Sequence, residues 1–314
     1  MPLTIGVDVG GTKVAAAVVA EDGTVVDQTR RDTPAEDVSR TLQMIMDAVE
    51  ELAGKHQVEA IGIGAAGWID AERSTVLFAP NIAWRNEPLR AELSDKFGLP
   101  VVVENDANVA AWAEYRFGAG RDVESMIMYT VGTGIGGAVI MEGRLIRGAH
   151  GIAAELGHLQ AVPDGQVCGC GRRGCLEQYA SGQALVRLGQ AAVGHAPSTA
   201  PVLTELTGGD PAKVTGPMIT DAARRGEPAS VAALADIGKW LGLACVDLVQ
   251  ALDPAVIVIG GGVIDAGELL LGPAEQAYVQ GMAQRSQLPV AELRRAQMGN
   301  TAGVVGAADL ARSR

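Results

Sequence analysis

Apolar residues run along this chain in short blocks, and between the blocks they recur at helical spacing. LTIGVD at 3–8 predicts a short buried strand ending in the turn VGGTK, and VAAAVV after it predicts a second strand. Asp22-Gly23 marks a hairpin turn into TVVDQTR. From Val38 the apolar positions are Val38, Leu42, Ile45, Val49 and Leu52. These steps of four and three describe an amphipathic helix, and Gly54 stands where it stops. VEAIGIGAAG predicts the next strand and a glycine-rich turn. A helix over 87–97 leads to the strand PVVVEN, and Asp106 opens a helix through Phe117.

The pattern then restarts. SMIMYTVGTGIGGAVIMEGRLI reads as strand, glycine turn, strand, hairpin turn, strand, and echoes residues 3–30 in layout. The stretch 195–217 is rich in Pro, Thr and Gly and is expected to be a surface loop. Residues 228–252 predict a long helix, apolar nearly all round through Leu234, Ile237, Leu241, Ala244 and Leu248, and therefore largely buried; Asp253-Pro254 ends it. The strand AVIVIGGG follows, and a helix from about Ala302 closes the chain. Alternating strands and helices predict an α/β protein with mixed sheets. The expected division is a smaller N-terminal α/β lobe over 1–117, with the C-terminal helix as its candidate completion, and a larger α/β lobe over 118–301.

Composition narrows the function. Of 314 residues, 48% are hydrophobic but only 4% aromatic, so the core must be aliphatic. The 41 glycines cluster in turns, which favours backbone approaching ligands over disorder. The net charge of −12 argues against nucleic-acid and anionic-lipid partners. No basic segment followed by an apolar stretch opens the chain, and no run is expected to approach the ~18 apolar residues of a membrane span. The expectation is a cytoplasmic protein with neither membrane nor nucleic acid as partner, its cysteines in a reducing compartment.

Three of the four cysteines stand together with a histidine: His158, Cys168, Cys170 and Cys175, in GHLQAVPDGQVCGCGRRGC. One imidazole and three thiols make a complete tetrahedral set for structural zinc. Cys245, inside the predicted buried helix, reads as core. The tryptophans read as packing, with Trp68 and Trp84 placed in polar loops where they would reach a pocket.

Glycine turns follow three strands: Asp8-Val9-Gly10-Gly11-Thr12-Lys13, Gly132-Thr133-Gly134-Ile135-Gly136-Gly137, and Gly260-Gly261-Gly262. Such turns aim backbone N–H groups at an anion; Thr12 and Thr133 add hydroxyls, and Lys13 adds a charge. Asp8, at a strand end, suits Mg²⁺ or its waters. None of the three is a GxxxxGK[ST] loop. Asn105 and Asp106, in GluAsnAspAlaAsn, read equally as a helix cap and as a carboxylate that takes a proton from a substrate hydroxyl while the amide orients it. Glu155 and His158 share a face on a helical turn. A zinc-bound histidine offers its second N–H, so Glu155, His158 and Glu177 form a polar wall suited to a polyhydroxylated ligand.

Taken together, DVGGTK, GAAGW, ENDAN, VGTGIGGAVIMEGRLIRGAHGIAAELGH and CGCGRRGCLEQYASG resemble the ROK family of sugar kinases and sugar-responsive repressors, over essentially the whole chain. The spelling of ENDAN…AEYRFGAGR and of the cysteine motif is most similar to the bacterial ATP-dependent glucokinases of that family. The resemblance implies an actin-like, hexokinase-type (RNase H-like) fold, two α/β lobes around a cleft. It implies that Asp106 is the general base for the sugar 6-hydroxyl, that Asn105, Glu155, His158, Glu177, Gly67 and Asn81 bind the sugar, and that His158, Cys168, Cys170 and Cys175 hold zinc. The turns with Asp8, Gly10, Gly11, Thr12, Lys13, Gly132, Thr133, Gly134, Gly261 and Gly262 would bind MgATP. Glucose and ATP are the implied partners, and a homo-oligomer, dimer or tetramer, the implied assembly.

Four rival readings stand beside this one. Repressors of the family carry a winged helix-turn-helix ahead of the first phosphate turn; here that turn begins at Asp8, and the expectation is that no such domain is present. A kinase for another hexose or an N-acetylhexosamine would share every residue named. A polyphosphate-using relative would tend to lack the cysteines. A non-catalytic actin-like binding protein would not need the Asn105-Asp106 pair.

Overall fold

The computed structural model describes residues 2–285 and 287–312. In chain order the strands and helices are β1 Leu3–Val9, β2 Lys13–Val19, β3 Val25–Asp32, α1 Val38–Ala53, β4 Val58–Ala65, β5 Trp68–Ile69, β6 Val76–Phe78, β7 Arg85–Glu87, α2 Leu89–Phe97, β8 Val101–Asn105, α3 Asp106–Phe117, β9 Met126–Val131, β10 Ile135–Met141, β11 Arg144–Leu145, α4 Glu177–Ala180, α5 Gly182–His195, α6 Pro201–Thr207, α7 Gly216–Arg224, α8 Pro228–Leu252, β12 Val256–Gly260, α9 Glu268–Gly281, β13 Glu292–Arg295 and α10 Ala302–Arg312. They form two compact units. One takes Met1–Met128, Ala138–Ala154 and Ala296–Arg314; the other takes Tyr129–Gly137 and Glu155–Arg295.

The first unit is built on a sheet of order β3-β2-β1-β4-β8, antiparallel through β3-β2-β1 and parallel through β1-β4-β8. Alternation along β1 sends Ile5, Val7 and Val9 into a core shared with Ile45, Val49 and Leu52 of α1 and Leu89 and Leu93 of α2. Asp37 caps α1 through its side chain on the Arg40 N–H, and Gly54 ends the helix. On the other face, α10 and α3 pack with Ala17 and Val19. Gly6 and Gly62 stand side by side in register there. A Cβ at Gly6 would come within 1.8 Å of the Val304 carbonyl oxygen, and one at Gly62 within 1.8 Å of the Ala307 carbonyl oxygen. Two neighbouring glycines therefore let α10 lie directly on the sheet. A small sheet, β5-β6-β7, completes this unit.

A second five-stranded sheet has the order β11-β10-β9-β12-β13. In the second unit α8 packs on α9 through small residues: a Cβ at Gly238 would meet the Leu270 carbonyl oxygen at 2.2 Å, and one at Gly242 the Ala274 carbonyl oxygen at 2.2 Å. By length and composition α8 is long and apolar enough to cross a membrane. This corrects the expectation that no run approaches a membrane span. The apolar side of α8 is spent inside the unit, with Leu234, Ile237, Leu241 and Cys245 fully buried.

Residues 195–217 are not a plain loop. They contain α6 and two short 3-10 turns, and they reach the start of α7. The prolines that read as breakers sit in the first turns of α6 and α7, where a missing N–H costs nothing. Trp84 is fully buried rather than facing a pocket, whereas Trp68 is half-exposed and packs on Phe78 at 5.4 Å between ring centroids.

Candidate active site

Parallel pairing places the first group of chemistry-bearing residues. In register, Asp8 stands beside Gly64 and Gly64 beside Glu104; one step on, Val9, Ala65 and Asn105 align. Asp8 and the 104–106 segment therefore leave the sheet at one edge, the carboxyl ends of parallel strands, where α/β sheets bind ligands. Asp8 is pressed against Gly303 of α10, where any Cβ would meet its Oδ2 at 2.5 Å. Burial, then the neighbouring Asp106 carboxylate, push the Asp8 carboxyl up to about 6, against a smaller downward pull from Arg30.

Asn105 is the N-cap of α3. Its Oδ1 accepts from the Asn108 N–H at 3.1 Å and its Nδ2 donates to the Gly67 carbonyl at 3.1 Å. Asp106 Oδ1 accepts from the Ala107 N–H at 2.9 Å. Burial raises the Asp106 carboxyl above the usual carboxylate range, partly offset by these N–H groups and the Asn105 side chain. The capping reading of the pair holds for Asn105, which is the N-cap of α3.

The turn after β1 is closed by Gly10 N–H donating to the Lys13 carbonyl at 2.9 Å, with Thr12 and Lys13 exposed. Gly11 packs on Asn81: a Cβ there would lie 2.9 Å from Asn81 Cβ. Gly67 has φ +153°, and a Cβ would collide with the Phe78 carbonyl at 2.3 Å. The first unit thus gathers Asp8, the 10–13 turn, Gly67, Asn81, Asn105 and Asp106. Spacing alone missed what stands behind the pair, the buried carboxylate of Glu104, 3.1 Å from Arg73 Nε and 2.7 Å from Arg147 Nε.

In the second unit, Gly132 and Thr133 are held by the start of α5: Gly182 N–H donates to the Gly132 carbonyl at 2.8 Å and Gln183 N–H to the Thr133 carbonyl at 3.2 Å. Gly261, at φ +91°, lies on the backbone of Val131, where a Cβ would come within 2.5 Å. Gly132, Thr133 and Gly262 line a cavity of about 870 Å³ together with Val186, Pro217, Thr220, Arg224 and Val263. The last five went unread because, in sequence, they look like ordinary helix and loop positions.

Glu155 precedes the short 3-10 turn Leu156–His158. Four donor atoms, from His158, Cys168, Cys170 and Cys175, lie within 4.8 Å of one another. His158 Nδ1 is 3.7 Å from Cys168 Sγ, and Cys170 Sγ is 3.6 Å from Cys175 Sγ. Tetrahedral zinc with Zn–S of about 2.3 Å requires sulfur–sulfur separations of about 3.8 Å, so the set fits the ion. The backbone closes round it: Cys168 N–H donates to the Arg172 carbonyl at 2.8 Å and Leu176 N–H to the Leu159 carbonyl at 2.8 Å. Glu177 Oε1 lies 3.8 Å from Cys168 Sγ, and Oε2 accepts from the Ile135 N–H at 3.0 Å. Cys245 is core, its thiol pushed up to about 12 by burial.

The family model for the ROK family matches residues 4–314. The glucokinase of Streptomyces coelicolor is 47% identical over 99% of this chain and 98% of its own length. A crystal structure of a ROK family glucokinase from Streptomyces griseus, in complex with glucose and AMPPNP, superposes with a TM-score of 0.90 at 48% identity, covering 99% of this chain and all of that one. The ROK hexokinase of Thermus thermophilus gives a TM-score of 0.82 at 35% identity over 99% of this chain and 98% of that one. The α/β fold is therefore of the actin-like, hexokinase type, as the motifs implied. On a match that spans nearly every residue, the chain belongs to the ROK family.

Proposed function

We propose that this protein is an ATP-dependent glucokinase that transfers the γ-phosphoryl group of ATP to the 6-hydroxyl of glucose, giving glucose 6-phosphate and ADP. The observation that carries the reading is full-length similarity near one half identity to glucokinases, one of them crystallised with glucose and AMPPNP. The Asn105-Asp106 pair at the start of α3, with the aspartate carboxyl raised by burial, supports the chemistry.

Phosphoryl transfer asks the protein to position reactants and balance charge rather than to form bonds itself. In this reading Asp106 Oδ2 accepts the 6-hydroxyl proton as that oxygen attacks the γ-phosphorus and the bond to the ADP oxygen breaks. A carboxyl raised by burial is better matched to this task than an ordinary aspartate. Asn105, Glu155, His158 and Glu177 bind sugar hydroxyls, with Gly67 and Asn81 contributing. His158 Nδ1 lies beside Cys168 Sγ, and this reading gives Nε2 to the sugar.

The 10–13 turn and the turns at Gly132–Gly134 and Gly261–Gly262 present N–H groups to the phosphates, and the cavity beside Val186, Pro217 and Val263 takes the nucleoside. In this reading Asp8 holds Mg²⁺: the neighbouring Asp106 carboxylate raises the cost of its charge, and a cation would relieve it. Bound Mg²⁺ supplies neutralisation of phosphate charge, and zinc on His158, Cys168, Cys170 and Cys175 supplies rigidity to the loop that carries Glu177.

ADP release from zinc-loaded protein with MgATP tests this over glucose, mannose, fructose, N-acetylglucosamine and N-acetylmannosamine. Glucose is expected to give the highest kcat/KM. Preference for an acetamido sugar would keep the mechanism and replace the substrate.

A further inference from the structure

Glu104, one residue before Asn105, is 1% exposed. Its Oε1 accepts from the Asn105 N–H at 2.9 Å and from the Asn108 side-chain amide at 3.0 Å. Its Oε2 faces two cations, Arg73 Nε at 3.1 Å and Arg147 Nε at 2.7 Å. One guanidinium would neutralise the carboxylate; this buried site gathers two. Burying ions costs several kcal/mol each before their attraction repays it, and a well-packed apolar group is often at least as stable. Stability alone therefore does not account for the cluster.

The wiring shows what it fixes. Arg147 also donates through its two terminal nitrogens to the carbonyls of Ala71 and Asp70, both at 2.8 Å. Arg73 holds a left-handed φ of +57° in the turn that follows, and its carbonyl accepts from the Val103 N–H of β8 at 3.0 Å. Asp70 closes that turn on the N–H groups of Ser74 at 2.7 Å and Thr75 at 3.1 Å. Glu104, Asn105 and Asn108 form a closed ring, because Asn108 gives its N–H to the Asn105 side chain and its amide to Glu104. That ring sets the torsion of the N-cap, and the next residue is Asp106.

We propose that Glu104 and Arg147 are positioning residues for the phosphoryl acceptor, fixing the aim of Asn105 and Asp106 through this buried ion cluster. The inference rests on the kinase reading above. Neither residue touches the reacting atoms. They act on the geometry of the pair, where a displacement of 1 Å costs as much as ~100-fold in rate.

Glu104→Gln keeps the side chain's shape and removes its charge. Arg147→Lys keeps a cation but loses the forked donation to residues 70 and 71, and it is the milder change should the first variant not fold. Both are compared with wild type for kcat, for KM of glucose and of ATP, and for melting temperature. Glu104→Gln is expected to lower kcat by roughly 10- to 100-fold and raise the glucose KM several-fold, with the ATP KM within about twofold. Arg147→Lys is expected to follow the same split, with a smaller fall. A lower melting temperature with kcat and glucose KM at wild-type values in a folded variant would make the cluster merely structural and overturn the proposal. Wild-type protein that turns over no hexose in the same assay would overturn the kinase reading, and this inference with it.

Discussion

The Glu177 carboxylate accepts a hydrogen bond from the Ile135 N–H at 3.0 Å while its other oxygen lies 3.8 Å from Cys168 Sγ. The same carboxylate fills the space beside Gly134, where a Cβ would meet Oε2 at 2.3 Å. One side chain thus ties the cysteine knot to the glycine turn after β9. The knot's rigidity reaches the turn proposed for phosphate as well as the residues proposed for sugar. Cys170→Ser is expected to lose the metal, by elemental analysis, and to weaken AMPPNP binding roughly tenfold in sugar-free calorimetry. Native AMPPNP affinity in metal-free protein would show that Glu177 does not carry this link.

Asp8 makes a stability prediction whose sign follows from its environment. Its carboxyl is raised from 3.8 to about 6 on folding. Between those values the unfolded chain has given up the proton and the folded one has not, so stability falls as pH rises, and the full cost is present above about pH 6. Asp8→Asn is expected to unfold later than wild type at pH 7.5, by about 2–3 kcal/mol, with the gain vanishing toward pH 4. It is also expected to lose kinase activity. Denaturant melts at the two pH values check the first part, and a gain independent of pH would contradict it.

Gly62→Ala tests the seating of α10. The new Cβ would lie 1.8 Å from the Ala307 carbonyl oxygen, backbone against backbone, with no flexible side chain to yield. The expected loss is about 3 kcal/mol or more, read as a lower denaturation midpoint. Gly98→Ala is not the matching control, since Gly98 sits at φ +63°; Gly132→Ala is unobstructed by neighbouring atoms and should cost far less in stability.

Much of the local structure was legible in the sequence, because its signals are local. Asp37 and Gly54 bound α1, Asp106 opens α3, and the four metal-fitting residues lie within one short stretch, so spacing alone assembled them. What escaped depends on partners far along the chain. Nothing near Glu104 in sequence announces Arg73 or Arg147, and nothing near Gly134 announces Glu177. The cavity residues Pro217, Thr220 and Val263 carry no chemistry of their own, and only the packing of α5 and α7 beside the glycine turns brings them together. The 195–217 stretch was misread because proline marks a helix start as readily as a helix end.

The central claim is that phosphoryl transfer to glucose depends on the carboxylate of Asp106. The most direct test follows ³¹P NMR of wild-type protein and Asp106→Asn, each with MgATP and glucose. Glucose binding is measured in parallel by calorimetry. Wild type is expected to accumulate glucose 6-phosphate and ADP in equal amounts. Asp106→Asn is expected to bind glucose within a few-fold of wild type and to turn over at least ~1,000-fold more slowly. Glucose 6-phosphate forming at near wild-type rate in the variant would remove Asp106 as the base, and no sugar phosphate from wild type would contradict the kinase assignment itself.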